Sequence, residues 1–173
     1  DAPSRYSFMY GPLLYLINAG ILTALGPSIF AAKLGGILAA LGSILFAYLA
    51  FRRAEAKWNA VAYTGMMCAL VLLFEQRTFW IRADSFLFLC ATLGLAASRC
   101  RSGVVAAMAC GLALGAAPNL KAHGAMYCLP FVALFIQHHG LRHLWLLVSL
   151  AAAAAVAPYL HAGIDFWGMI AWL

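Results

Sequence analysis

Charge is what this sequence has least of. Only 9% of its 173 residues are Asp, Glu, Lys or Arg, where roughly 25% is usual in soluble domains. Acids are the scarcest: Asp1, Glu55, Glu75, Asp84 and Asp165 stand against eleven Lys and Arg. So few charges cannot solvate a globule of this length, which excludes a soluble domain, a disordered region and a DNA-binding module. Paired thiols are lacking as well. The five cysteines (68, 90, 100, 110 and 128) form no C-x-x-C, and all but Cys100 lie in apolar runs. They read as small hydrophobes, neither disulfides nor zinc ligands. No Walker loop, G-x-S-x-G, H-E-x-x-H or dinucleotide fingerprint occurs, so ATPase, hydrolase and metalloprotease signatures are missing. There is no internal repeat and no soluble second domain. The chain has neither an initiator Met nor a signal peptide, and it stops inside the apolar run 166–173. It reads as a piece of a longer protein.

What is there is apolar: 66% of the residues, with a mean hydropathy of +0.93. The expectation is an all-α, polytopic transmembrane helical bundle, a single domain over 1–173. Residues 1–27 form an interfacial segment. Its helix is opened by Pro12 and closed by Gly26-Pro27, and at 15 residues it rises only ~22 Å, short of a ~30 Å hydrocarbon core. About six spans follow within 28–160, at about 28–51, 58–74, 85–98, 103–117, 125–137 and 144–160. Residues 161–173 begin the next external segment. Gly111 and Gly115 form a G-x-x-x-G pair, which reads as helix packing.

Taken alternately, the connectors fall into two sets. One set (52–57, 99–101 and 138–143) carries Arg52, Arg53, Lys57, Arg99, Arg101 and Arg142 with the single acid Glu55. Positive-inside places it in the cytoplasm. The other set gathers Arg5, Tyr6, Tyr10, Lys33, Glu75, Arg77, Arg82, Asp84, Asn119, Lys121 and His123. An outer cluster of cations around one or two carboxylates runs against the topological bias. A bound anion would offset it, since each Lys or Arg near lipid phosphate is worth ~1 kcal/mol.

Single residues carry two readings each. Asp84, at the lip of the third span, either N-caps that helix or orients a cation or substrate hydroxyl. Lys121 follows Pro118-Asn119, where a helix is expected to end and a polar hairpin to turn back. It either snorkels or neutralises a leaving phosphate. His123 is a candidate base or metal ligand on weak grounds. His138, His139 and His143 read as an interfacial cluster in preference to a metal site. The tryptophans sit mostly near span ends, as an aromatic belt does.

The order of YGPLLYLINAGILTALG, FAAKLGGILAALGSILFAYLAFRR, WIRADSFLFLCATLGLA and GLALGAAPNLKAHGAMYCLP resembles the GT-C superfamily of multi-pass glycosyltransferases. The nearer likeness is to the branch of the protein mannosyltransferases and the bacterial lipid A aminoarabinose transferases. Gly11-Pro12-Leu13-Leu14-Tyr15 matches its P-P-L-x-Y segment, Arg82-Ala83-Asp84 its second-loop acid, and Asn119-Leu120-Lys121-Ala122-His123-Gly124 its L-T-K-G segment. The resemblance covers roughly 6–135. It implies sugar transfer from a polyprenyl-phosphate donor to a lipid, glycan or protein acceptor at the extracytoplasmic face of a bacterial inner membrane. It implies Asp84 as a catalytic residue, the second-loop acid, with Arg82, Lys121, His123, Arg77 and Tyr10 toward donor phosphate or substrate. No residue is assigned to a metal, a divalent metal is left open as a cofactor, and nucleic acid is not a partner. The family's first-loop acid has no counterpart before Pro12, and Tyr10-Gly11 replaces its usual Lys. The alternative is a fragment of a polytopic transporter or flippase for an anionic lipid or solute. Against it stand spans with little polar beyond Asn18, Thr64 and Thr92. A purely structural membrane subunit leaves the outer charges unexplained.

Overall fold

The computed structural model describes residues 10–54, 57–73 and 82–161. Within them the chain is all helical. Seven α-helices follow in order: α1 Pro12–Leu25, α2 Ile29–Ala54, α3 Lys57–Leu73, α4 Asp84–Ser98, α5 Gly103–Leu120, α6 Leu129–His139 and α7 Leu144–Val156. Short 3₁₀ segments, Gly124–Cys128 and Ala157–Leu160, precede α6 and follow α7.

The helices face one another with their small residues. On α2 the buried positions are Ala31, Gly35, Gly36, Ala39, Ala40, Ser43, Ala47 and Ala50, while Leu38, Leu41 and Leu45 point outward, each more than half exposed. On α5, Ala106, Ala107, Cys110, Gly111 and Ala113 are buried and Val105, Met108 and Leu112 are exposed. A water-soluble helix does the reverse, burying its large apolar residues. Close backbone approach through small residues is how helices associate when the surroundings are themselves apolar. Large side chains such as Leu14, Leu120 and Phe135 are buried among them, and in places a glycine makes the room. Phe131 of α6 lies against Gly94 of α4, where a Cβ would overlap its ring.

The contacts fix the directions of the helices. Gly35 meets Phe86, Gly42 meets Leu89, and Arg53 donates to the carbonyl of Ala96, so α2 and α4 run side by side in the same sense. Chain α5 returns between α4 and α7. A Cβ on Gly111 would stand 2.6 Å from the Leu147 carbonyl oxygen, and one on Gly115 would overlap the Ala151 carbonyl. The G-x-x-x-G pair is thus the surface on which α7 lies, parallel to α5. Helix α1 starts beside Asn119 at the end of α5, and its Ile21 rests on Gly35, the seventh residue of α2. Both contacts are near one end of the bundle, so α1 lies along that end. Members of each connector set meet at opposite ends: Tyr10, Arg82, Asp84 and Lys121 at the α1 end, and Arg53, Arg99, Arg101, His138 and His139 at the other.

Two helices among the described residues, Ile29–Ala54 and Gly103–Leu120, are long and apolar enough to cross a membrane, and the apolar helices Pro12–Leu25, Asp84–Ser98 and Leu144–Leu160 are shorter. Two expected boundaries differ. Helix α5 does not stop before Pro118; it runs through to Leu120. A proline so near the C-terminus removes one hydrogen bond, and its neighbour adds a different one, to Gly115 O. The expected start of the fifth span at 125 is a 3₁₀ turn, and its α-helix begins at Leu129.

That neighbour, Asn119, is not an outer-face polar group but is 2% exposed. Its amide donates back to Gly115 O at 3.2 Å and across to Ala154 O (3.2 Å) and Ala155 O (2.8 Å). Those alanines lie in the last turn of α7, where carbonyls lack helical partners, so Asn119 caps α7 from a neighbouring helix. Asn119→Leu is expected to cost about 1–3 kcal/mol by orphaning these acceptors. A lowered thermal midpoint with unchanged helix content would show it.

Candidate functional site

The site is assembled around Lys121. Its backbone is extended (φ −155, ψ 137) at the end of α5. Its N–H donates to Ala117 O at 3.2 Å, and its carbonyl accepts from Gly124 N at 2.7 Å in the turn that follows. On its other side it forms an isolated antiparallel bridge with Tyr10, next to the bond from Gly11 N to Leu120 O (3.2 Å). This approach is possible because residue 11 is glycine: a Cβ there would run into the Asn119 backbone. The entry to α1 is thereby stitched to the exit of α5.

With its backbone held on both sides, Lys121 sends Nζ to Asp84 Oδ1 at 3.3 Å, its side chain only 12% exposed. Asp84 is the first residue of α4. The N-cap position belongs to Ala83, and no side-chain cap bond is made, so Asp84 is not the N-cap. An acid in the first turn is still favoured by the helix dipole. The second oxygen, Oδ2, lies 3.2 Å from Arg82 Nε. That contact is an ion pair without hydrogen-bond alignment, and Oδ2 is otherwise buried and unbonded among the described residues. The Arg82 guanidinium is held above its ordinary value, first by its hydrogen bond to Tyr10 and last by Asp84.

Four sequence-predicted residues, Tyr10, Arg82, Asp84 and Lys121, thus meet at one end of the bundle from three separate stretches of chain. His123 does not join them: it is exposed, with its ring 5.9 Å from that of Tyr127. Lys33 lies toward the same end on α2 and is exposed. Arg77, with Arg5, Tyr6 and Glu75, lies outside the described residues. At the opposite end, His139 sits 3.2 Å from Ser98 O, and both His139 and His143 border Gly103. Among the described residues no three His, Cys, Asp or Glu are placed to hold a metal. Cys90, Cys110 and Cys128 are buried free thiols inside the packing.

Chemically, the cluster is two cations sharing one carboxylate. It keeps one net positive charge on groups whose positions are already set. Such a site receives an anion without reorganising, with Arg offering a planar fork and Lys a point charge. No family model, curated protein or solved structure matches this chain. The sequence pointed to these residues by type and side. It had no signal for the backbone bridge of Tyr10 to Lys121, because that depends on where α1 crosses α5.

Proposed function

We propose that this chain belongs to a multi-pass membrane glycosyltransferase of the GT-C type, acting on a polyprenyl-phosphate-linked sugar at the extracytoplasmic face of a bacterial inner membrane. The observation that carries the reading is the meeting of Tyr10, Arg82, Asp84 and Lys121 at one end of an inside-out helical bundle. Two features support the membrane setting: small residues inside with large ones outside, and the separation of the two connector sets onto opposite ends. Trp58 and Trp145, 77% and 67% exposed, stand at the starts of α3 and α7, both at the strongly basic end. That is the placement of an aromatic belt on the cytoplasmic side. The helices shorter than ~20 residues are accommodated by local thinning of the bilayer and by snorkelling of flanking residues, and six spans result.

In the reaction, an acceptor hydroxyl oxygen bonds to the anomeric carbon, the bond from that carbon to the phosphate oxygen breaks, and polyprenyl phosphate departs. The hydroxyl proton goes to a base. Lys121 and Arg82 stabilise the charge gathering on the departing phosphate. Asp84 is engaged by both cations and acts by holding them in place; the base is a different group. The partners are the lipid-linked donor, membrane lipids and a lipid, glycan or protein acceptor.

The test is transfer of a labelled sugar from polyprenyl phosphate by the full-length protein in proteoliposomes. Arg82→Gln is expected to slow transfer at low donor by about fivefold, the loss of one phosphate contact worth ~1 kcal/mol. Unchanged transfer, or none in the parent protein with any polyprenyl-phosphate sugar, would sink the reading.

A further inference from the structure

The end of the bundle opposite the site holds a second cationic feature, a cavity of about 280 Å³ lined by Arg53, Arg99, Cys100, Arg101, His138 and His139. It sits where α2, α4 and α6 end and α3, α5 and α7 begin. Its lining residues lie at or just past the C-terminal ends of α2, α4 and α6, whose partial negative charge draws cations there, so an anion is held by the side-chain charges against that field. Among the described residues no carboxylate lines the cavity.

Two of its groups are committed to structure. Arg53 donates to Ala96 O and approaches Cys100 Sγ at 3.1 Å. His139 pairs with Ser98 O and stacks near Phe135, ring centres 5.2 Å apart. Arg99 and Arg101 make no ion pair among the described residues. They occupy the short turn between α4 and α5, so their backbones are fixed by two packed helices. Two guanidinium groups on a held turn, unpaired among the described residues and bordering an open cavity, make an anion site, and the planar fork of Arg matches phosphate. The neighbouring connector and helix start present Leu141 and Trp145, 68% and 67% exposed, apolar surface suited to an acyl chain beside the charged group.

We propose that this cavity binds the phosphate of an anionic lipid headgroup, with Arg99 and Arg101 as its ligands. Bound lipid clamps the α4–α5 turn to the end of α6. The proposal rests on the membrane reading above but not on sugar transfer.

The experiment is equilibrium binding of a labelled phosphatidylglycerol to the purified full-length protein in neutral detergent micelles, with inorganic phosphate as a separate arm. Saturable lipid binding is expected, weakened about 30-fold in the R99Q/R101Q double variant at ~1 kcal/mol per arginine. Arg101→Gln alone, at an exposed position, should lose about fivefold and serves if the double variant unfolds. Lys33→Met, which removes an exposed cation toward the other end and outside the site there, should leave the affinity unchanged. Absent or non-saturable lipid binding overturns the proposal, as does equal affinity in the arginine variants. Inorganic phosphate bound at these arginines with no lipid bound would overturn the lipid as the source. A protein washed from membranes by carbonate would fail the membrane reading. Lipid binding lost in a protein that stays in the membrane would fail this proposal alone.

Discussion

Gly115→Leu is expected to break the contact between α5 and α7 and to leave the bundle unable to reach its native packing. Even a Cβ at position 115 overlaps the Ala151 carbonyl, and Ala154 Cβ stands 2.8 Å away. The obstacle is backbone of a neighbouring helix, which cannot rotate aside as a side chain can. Overpacked sites ordinarily cost about 1–3 kcal/mol, and a backbone wall puts Gly115→Ala at the top of that range and leucine beyond it. Gly111 meets the Leu147 carbonyl one turn earlier on the same surface, so changes at 111 and 115 will not be additive. The controls are Gly20→Ala and Gly65→Ala. A Cβ there meets nothing within 4 Å, and each should be neutral or stabilise by about 0.5–1 kcal/mol through the helical preference of alanine. Reversible unfolding of the four variants in mixed micelles measures the contrast. Equal stabilities at 20, 65 and 115 would contradict the packing described.

Lys121→Met should be the most damaging single change to activity. It keeps the length of the side chain and removes the charge that, in the proposed reaction, faces the departing phosphate. Losing one preorganised group of this kind costs about 10²–10³ in kcat, with KM for the donor little changed if the contact tightens only in the transition state. Asp84→Asn should also slow turnover, by less, because it loosens Lys121 and Arg82 without removing either. Once Lys121 is gone, the further change at Asp84 should cost much less than it does alone, since the two residues touch at 3.3 Å and contacting residues do not act independently. The double-mutant cycle in the proteoliposome assay is the measurement. Additive losses would show that Asp84 works apart from Lys121, and an undiminished K121M would remove the cation from the mechanism.

Much of the candidate site could be read before any coordinates. Sorting the connectors by alternate sides placed Arg82, Asp84 and Lys121 together, because a chain that crosses a bundle repeatedly must return its odd and even turns to opposite ends. The prominence of Gly111 and Gly115 was legible too, as small residues one turn apart mark close helix approach. Pro118 misled. Proline is read as a helix end, and that rule cannot register Asn119 beside it, whose amide supplies donors where the proline withholds one. The side of Asn119 was misjudged for a related reason: a polar residue in a turn-like string reads as exposed until an adjacent helix offers it acceptors. The N-cap reading of Asp84 failed by one residue, the usual scale of error at a helix end.

Composition and patterning by themselves determined that the chain is helical, that it is apolar throughout, and that its cations gather in two sets of connectors. These follow from local preferences and from the cost of placing charge in an apolar medium, both written residue by residue. Only the tertiary structure decided that Asp84 lies between Arg82 and Lys121, that Tyr10 is bridged to Lys121 through the close approach of Gly11, and that Arg99 and Arg101 border an open cavity. Those are distances between segments remote in the chain. They are set by how α1 crosses α5 and how α7 lies on its glycines, and no local preference encodes the crossing of two helices.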